Sequence, residues 1–445
     1  MELAGRGRGR TGAPPVQWAE LPHDLWGLII NFATANSPRT AARLVQVSPL
    51  MRDLVYDYLE ALDLTAYSQS PRATLGHYRH LRELALPYGT GWWIGTLPPA
   101  VTMALNFLSL VHCPLDSTGL AQLATMTSLR NLNLANTQLD DQALAHLSRL
   151  TALSTLDLSD NRVSDDGLRH LRHLPALTWL DISCCAVTAG GLKHLAHNTK
   201  LTSLNLGYCR SQPDPDRIDL TPLHRLPHLT ELHVHCVALS VEEACSLKRF
   251  PALKHLSVRS CWLTQEHLVA MFPLPHVTTL RIRNSLVSSI DGRRPSLAPI
   301  FASRSLTTLC LRDNNITDRM LQATAEDELI TQPFLPHVTC LDLSDNTITA
   351  AGLAVLQDQM PALTHLIFMY TSRSLLELEC LATFPGLTRL DIDIGQLNSA
   401  QYEKLRAVTP APREDSHQWE LNAAGLRTLL EIYREELGND SGPPI

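Results

Sequence analysis

An α/β solenoid, a coil of short strand-and-helix units with a parallel sheet on its concave side, is the fold class this chain predicts. Three observations carry the prediction. First, units of 24 residues repeat: LRNLNLANTQLDDQALAHLSRLTA (129–152), LSTLDLSDNRVSDDGLRHLRHLPA (153–176) and LTWLDISCCAVTAGGLKHLAHNTK (177–200) all open L-x-x-L-x-[LI]. A fixed period of this length is the mark of stacked units, none of which can bury its apolar face alone. Second, nearly a fifth of the chain is leucine while aromatics are only 5%, a composition for many similar small layers and not one mixed core. Third, each unit carries two periods. The alternation in L-x-L suits a short strand with one buried face, and Leu168, Leu171 and Leu174 recur every three residues, as in a helix or tight helical turn laid against it.

The elements follow in chain order. Residues 1–17, with the Arg-Gly tract Gly5–Arg10, read as a disordered tail. Residues 18–58 change character and read as helical. Leu25, Leu28, Ile29 and Phe32 share one helical face, entered after Leu21-Pro22 with Asp24 in the first turn. Ala41, Leu44 and Val45, then Leu50, Leu54 and Val55, propose two more short helices broken near Ser48-Pro49. A segment this short does not sustain its own core. Its apolar face must dock on the first repeat, on a partner, or on both.

Residues 59–397 hold fourteen units, opening at Leu59, Leu81, Leu105, Leu129, Leu153, Leu177, Leu201, Leu229, Leu253, Val277, Leu306, Val338, Leu363 and Leu387. Longer spacings after Leu201, Val277 and Leu306 carry SQPDPDRID, DGRRPSLAP and ATAEDELITQPF, which read as loops. Ser164 and Asp165 are placed to cap the helix that follows. Parallel strands spaced about 4.8 Å apart make a sheet of fourteen roughly 60 Å long. Eight residues after the openings stand Cys113, Asn161, Cys185, Cys209, Cys261, Asn314 and Asn346, with Thr137 and Ser285 in the same column. Recurrence at one position makes these cysteines structural, and Cys184 falls beside the column. His170/His173 and His194/His197 recur in the same way, with no acid or thiol to complete a metal site. Residues 398–445 close the chain. TPAPREDS (409–416) reads as a turn, and Leu426, Leu429, Leu430, Tyr433 and Leu437 mark an amphipathic capping helix.

Several function classes recede. The net charge of −7 calls for no nucleic acid. No apolar run reaches about 18 residues, so no membrane span is expected. MELAGRGRGRTGAPP lacks an apolar core behind its charges, so no Sec signal is expected, and the ten cysteines read as reduced thiols. No phosphate loop, H-E-x-x-H or G-x-S-x-G occurs. We therefore expect no intrinsic catalysis, no cofactor and no metal.

On these residues, 59–397 resembles the leucine-rich repeat family, whose fold is a horseshoe with a concave parallel sheet. A second resemblance precedes it. Leu21, Pro22, Asp24, Leu25 and Ile29, then Val47, Arg52 and Leu54, are similar to the motif of F-box proteins, with Ser48 and Met51 standing where Cys and Trp are common. An F-box directly before leucine-rich repeats implies a substrate-recognition subunit of an SCF-type cullin-RING ubiquitin ligase. The adaptor-binding residues would be Leu21, Pro22, Leu25, Ile29, Phe32, Val47 and Met51, meeting a Skp-type adaptor. The alternative is a plain interaction scaffold, including a bacterial effector that mimics F-box proteins. The expected residence is cytoplasmic or nuclear, or the host cytosol for an effector, and the chain outside its complex is expected to be a monomer.

The strand residues two, four and six places after each opening face outward on the concave side. Four consecutive units place His233, His235, His255, Arg259, Arg281, Arg283 and Arg312 there. This patch suits an acidic or phosphorylated protein segment. Earlier units place Asn133, Asp157, Asp181 and Asn205 there, with Trp179 projecting beside them as an anchor.

Overall fold

The computed structural model describes residues 51–432 apart from 52–53, 56–58, 66–77, 209–218, 289–293, 327–334, 370–379, 394–402, 409–417 and scattered positions between. Of the adaptor-contact residues only Met51 is among them. Leu21, Pro22, Leu25, Ile29, Phe32 and Val47 lie outside the described residues, as does Cys209 of the repeated column.

Every predicted opening leads into a strand two residues later. The first five are β1 (Ala61–Asp63), β2 (Glu83–Ala85), β3 (Phe107–Ser109), β4 (Asn131–Asn133) and β5 (Thr155–Asp157). Next come β6 (Trp179–Asp181), β7 (Ser203–Asn205), β8 (Glu231–His235), β9 (His255–Arg259) and β10 (Thr279–Arg283). Then follow β11 (Thr308–Cys310), β12 (Cys340–Asp342), β13 (His365–Phe368) and β14 (Arg389–Asp393). They pair in chain order into one sheet, all parallel, with a leucine opposite a leucine in every pair. A chain that advances one strand per turn can pair only with its neighbours, so the topology follows from the repeat.

The leucines of each unit converge on one continuous core. In a single unit Leu153, Leu156, Leu158, Val163, Leu168, Leu171 and Leu174 are all completely buried. Burying side chains of this size stabilises by roughly 1.5–3 kcal/mol each, which is why leucine dominates the composition. The strand's other face stays open: β5 and β6 each alternate half-buried, buried, half-buried.

Four columns recur from unit to unit, and polar side chains in the first two stitch one turn to the next. The expected Asn/Cys column is one. Asn161 Oδ1 accepts from the backbone N–H of Thr137 at 3.1 Å and Leu139 at 2.9 Å, and its Nδ2 donates to the carbonyls of Leu134 and Leu158. Cys185 and Cys261 point their thiols at carbonyls of Leu158 and Val234. A second column was not foreseen: the residue after each opening, from Ser154 to Thr388, repeatedly donates its hydroxyl to the matching carbonyl of the preceding turn. In a third, seven residues after ten of the openings, the backbone turns left-handed, with φ of 45 to 58° at His112, Asn136, Asp160, Cys184, Tyr208, Cys236, Ser260, Asn284, Asp313 and Asp345. This reverses the chain off the strand.

The fourth column begins the helical side. Asp116, Asp140, Ser164, Thr188, Ser240 and Thr317 cap their helices by accepting backbone N–H bonds. Ser164 is thus the cap, whereas Asp165 reaches onward: its carboxylate accepts from the N–H and hydroxyl of Thr188 in the next turn. Asp141 does the same for Ser164, and Asp318 for Thr349. Gly167, Gly191 and Gly352 lie against these carboxylates, and a Cβ at any of them would press into an Asp oxygen.

Two readings need correction. Parts of the expected loops are ordered helix, Ala298–Phe301 and Asp318–Ala325, because Leu297, Ile300, Met320 and Leu321 are buried in the same core. The C-terminal cap is also more than a helix. A fifteenth strand, β15 (Gln418–Leu421), pairs antiparallel with β14 ahead of it. Leu421, Leu426, Leu429 and Ile432 then cover the last layer. At the other end Leu54 and Val55 are buried and the half-buried Met51 packs on the same core. Met51 is therefore turned toward the solenoid.

Candidate binding face on the concave sheet

The strands β8, β9 and β10 are five residues long where most others are three. The extra length adds a third outward position, and basic residues fill it. Register places His235 opposite Arg259 and Arg259 opposite Arg283. One step back, His233 faces Ser257 and Ser257 faces Arg281. One further back, Glu231 faces His255. Six of the expected residues, His233, His235, His255, Arg259, Arg281 and Arg283, thus form one patch over three strands. Arg312 adjoins it just beyond β11.

The four arginines are not equivalent. Arg312 Nε lies 2.7 Å from Asp345 Oδ2, one turn on. Arg283 Nε donates to Cys310 Sγ at 3.3 Å, and that thiol donates to Asp342 Oδ2 at 3.1 Å. Burial works against the Arg283 charge, but Cys310 and Asp342 outweigh it and raise its pKa. Arg259 and Arg281 have no carboxylate in ion-pair reach among the described residues. Arg259 is also the exposed member of the patch. Mutual repulsion across the row is thus relieved on the β11–β12 side and left standing on β9 and β10.

The histidines carry the mark of this crowding. His233 Nε2 lies 3.0 Å from Glu231 Oε1, and the His233 and His235 rings meet edge to face at 5.8 Å. His235 Nε2 lies 3.2 Å from Ser257 Oγ. Burial, then the neighbouring His233 and Arg259, pushes the His235 pKa down to about 4. Burial works to raise the Glu231 pKa, but Ser203 and the His233 and His255 side chains outweigh it and lower it.

The remaining expected positions fall elsewhere. Trp179 is half-buried on β6, separated from β8 by β7, so it does not join the patch. Asn133, Asp157, Asp181 and Asn205 turn out to be builders: each accepts the backbone N–H two residues on. Burial raises the Asp157 pKa, with Asp181 and Asp160 adding to it. The aromatics that flank the patch were missed. Trp262, three residues past Arg259, is 57% exposed, and Tyr208, beyond β7, is 46% exposed. Their signal was a bulky ring at repeat positions that in the other units hold smaller or more polar residues, such as Asn136, Asp160 and Ser260 for Tyr208 and Gln138, Ala186 and Asn315 for Trp262.

Thiols offer little chemistry here. Burial pushes Cys185 up to about 12 and Cys261 and Cys310 up to about 11. Cys340 Sγ lies 3.5 Å from His365 Nδ1, and His365 Nε2 lies 3.0 Å from Asp391 Oδ2. Yet burial and the carboxylates of Asp342 and Asp391 raise the Cys340 thiol, the reverse of what an activated nucleophile requires. Among the described residues no group of three or more His, Cys, Asp or Glu side chains is placed to hold a metal ion, and no helix is long and apolar enough to cross a membrane.

A family model described as Leucine rich repeat matches residues 127–187, and a second, Leucine Rich repeat, matches 197–210, 302–321 and 334–356. All the matched segments lie within the solenoid. No curated protein matches the chain. Among solved structures it is similar to an internalin (inlF) from Listeria monocytogenes, with 17% identity over 83% of this chain and 98% of that one and a TM-score of 0.49. It is also similar to internalin C2 (inlC2) of the same organism, with 19% identity over 57% of this chain and 96% of that one and a TM-score of 0.35.

Proposed function

We propose that this leucine-rich-repeat solenoid is a non-catalytic binding protein that holds an acidic segment of a protein partner against β8–β11. The observation that carries the reading is the pair Arg259 and Arg281, basic side chains on adjacent strands with no carboxylate partner among the described residues. Guanidinium groups in this state can take a partner's carboxylates bidentately without first breaking an internal ion pair. Trp262 at the same edge supplies an exposed ring of the kind that anchors interfaces. The test is fluorescence anisotropy with a fluorescein-labelled glutamate-rich peptide. The wild type is expected to bind it, and Arg259→Glu/Arg281→Glu to weaken binding by at least about tenfold with an unchanged melting temperature. Equal binding by the double variant would sink the reading.

A finer reading makes the chain a substrate receptor of a cullin-RING ubiquitin ligase, in which residues 18–58 bind a Skp-type adaptor and the concave face selects the substrate. It is favoured by Leu21, Pro22, Asp24, Leu25 and Ile29 standing directly ahead of the first strand. Leu54 and Val55, buried in the first layer, would fix such a segment rigidly to the solenoid. Met51, turned toward the core, then serves the joint and not the adaptor. On this reading the chain works in the cytoplasm or nucleus, or in a host's cytosol. Binding of purified Skp adaptor by the full chain, lost in Leu21→Ala/Pro22→Ala, is the expected result. No binding at micromolar adaptor by a chain shown to be folded would leave the scaffold alone.

A further inference from the structure

We propose that Ser257 floors a cradle for a phosphate group, so that the acidic segment is recognised through a phosphorylated serine or threonine of the partner. The inference rests on the concave face being a binding surface, and it names what that surface selects.

Ser257 is the smallest outward side chain in the middle of the patch, and its four nearest neighbours on the face are all basic. His233 and Arg281 stand opposite it on β8 and β10. His255 and Arg259 stand two residues before and after it on β9, on the same face. Ser257 therefore lies low among these longer side chains, 8% exposed, with the His235 ring against its hydroxyl. Its hydroxyl contributes too. Where His235 Nε2 carries the proton, Ser257 accepts from the ring across 3.2 Å and its own hydrogen is free to be donated upward.

Charge and shape both select a tetrahedral dianion. Glu231 is the carboxylate at the rim, and it is already paired with His233 at 3.0 Å. Arg283 on β10 is held by Cys310, and Asp181 lies beyond β7. Arg259 and Arg281 are left to approach from two sides. A phosphomonoester presents three oxygens and close to two charges, enough for two guanidinium groups and a hydroxyl at once. A carboxylate presents two oxygens in one plane and cannot reach all three.

The experiment uses the full chain and three fluorescein-labelled, glutamate-flanked peptides that differ at one position: phosphoserine, glutamate or serine. The phosphoserine peptide is expected to bind at least about tenfold tighter than the glutamate peptide. Ser257→Glu, which sets a carboxylate in the cradle, and Arg259→Ala/Arg281→Ala should each erase that preference. The exposed Arg259 permits truncation without loss of fold, checked by thermal unfolding. Equal binding of the phosphoserine and glutamate peptides would overturn the cradle and leave the acidic-segment reading standing. Failure of all three peptides would overturn both. Inorganic phosphate binding as tightly as the phosphopeptide would overturn the assignment to a protein partner.

Discussion

A single buried amide carries two turns of this solenoid. Asn161 satisfies two backbone N–H groups of the preceding turn and two carbonyls, and it is 5% exposed. Asn161→Ala strands all of these, and we expect a loss of about 2–4 kcal/mol in urea unfolding. Asn161→Cys should cost less, since a thiol already meets the equivalent carbonyl at Cys185 and Cys261. His235 sets a pH dependence of defined sign. Its folded pKa of about 4 lies below the ordinary 6.5, so between those values the unfolded chain binds the extra proton. Stability is expected to fall as pH drops from 6.5 toward 4, and His235→Asn should flatten that fall in calorimetric scans. His170, His194 and His224 are lowered by burial as well and act in the same direction, so the variant removes part of the slope. The Asn/Cys column and the basic residues were legible because each repeats or carries charge. Ser257 was not: a serine between His255 and Arg259 says nothing until register shows that its cross-strand neighbours are His233 and Arg281. The pairing of Arg312 with Asp345 was hidden for the same reason, lying a full turn apart.

At the scale of the element, neighbouring units are locked by an acid-and-glycine joint. Asp141 holds Ser164 by its N–H and hydroxyl at 2.7 and 2.6 Å, and Gly167 leaves the space its carboxylate occupies. Gly167→Ala is expected to destabilise by about 1–3 kcal/mol through overpacking. Asp141→Ala removes both the bonds and the nearer obstruction, leaving Leu144 Cδ1, so the double variant should lose less than the sum of the singles. Additive losses in that cycle would refute the joint. All fourteen strands were readable because leucine alternation is a strong local signal. The strand β15 was not, because QWEL alternates over only four residues outside the repeat, and its antiparallel place is fixed by the edge of β14. The helix Ala298–Phe301 escaped notice for a similar reason: proline, glycine and charge in DGRRPSLAP masked the apolar residues that pack it. Tyr208 and Trp262 are positions where a repeat column departs from its own rule, and such departures point to use more than the pattern itself does.

For the molecule as a whole, the main contacts between elements among the described residues join successive turns, so cohesion is a chain of nearest-neighbour terms. The two ends are then the weak points. Deleting residues 418–445 strips β15 and the covering Leu421, Leu426, Leu429 and Ile432 from the last layer. We expect the truncated chain to self-associate through the bared edge of β14, seen as a concentration-dependent rise in sedimentation coefficient, while the distant patch keeps its peptide affinity. A monodisperse truncated chain would show that β15 is dispensable. The reversed direction of β15 has a further meaning. Nothing inside a unit tells it how many others to expect, since each offers the same face to its successor. Length is therefore fixed by a terminator: one strand laid against the grain, onto which no further parallel unit can be added in register. Duplication or loss of interior units could lengthen or shorten such a protein without redesign, so long as that last reversed strand travels with the C-terminal end.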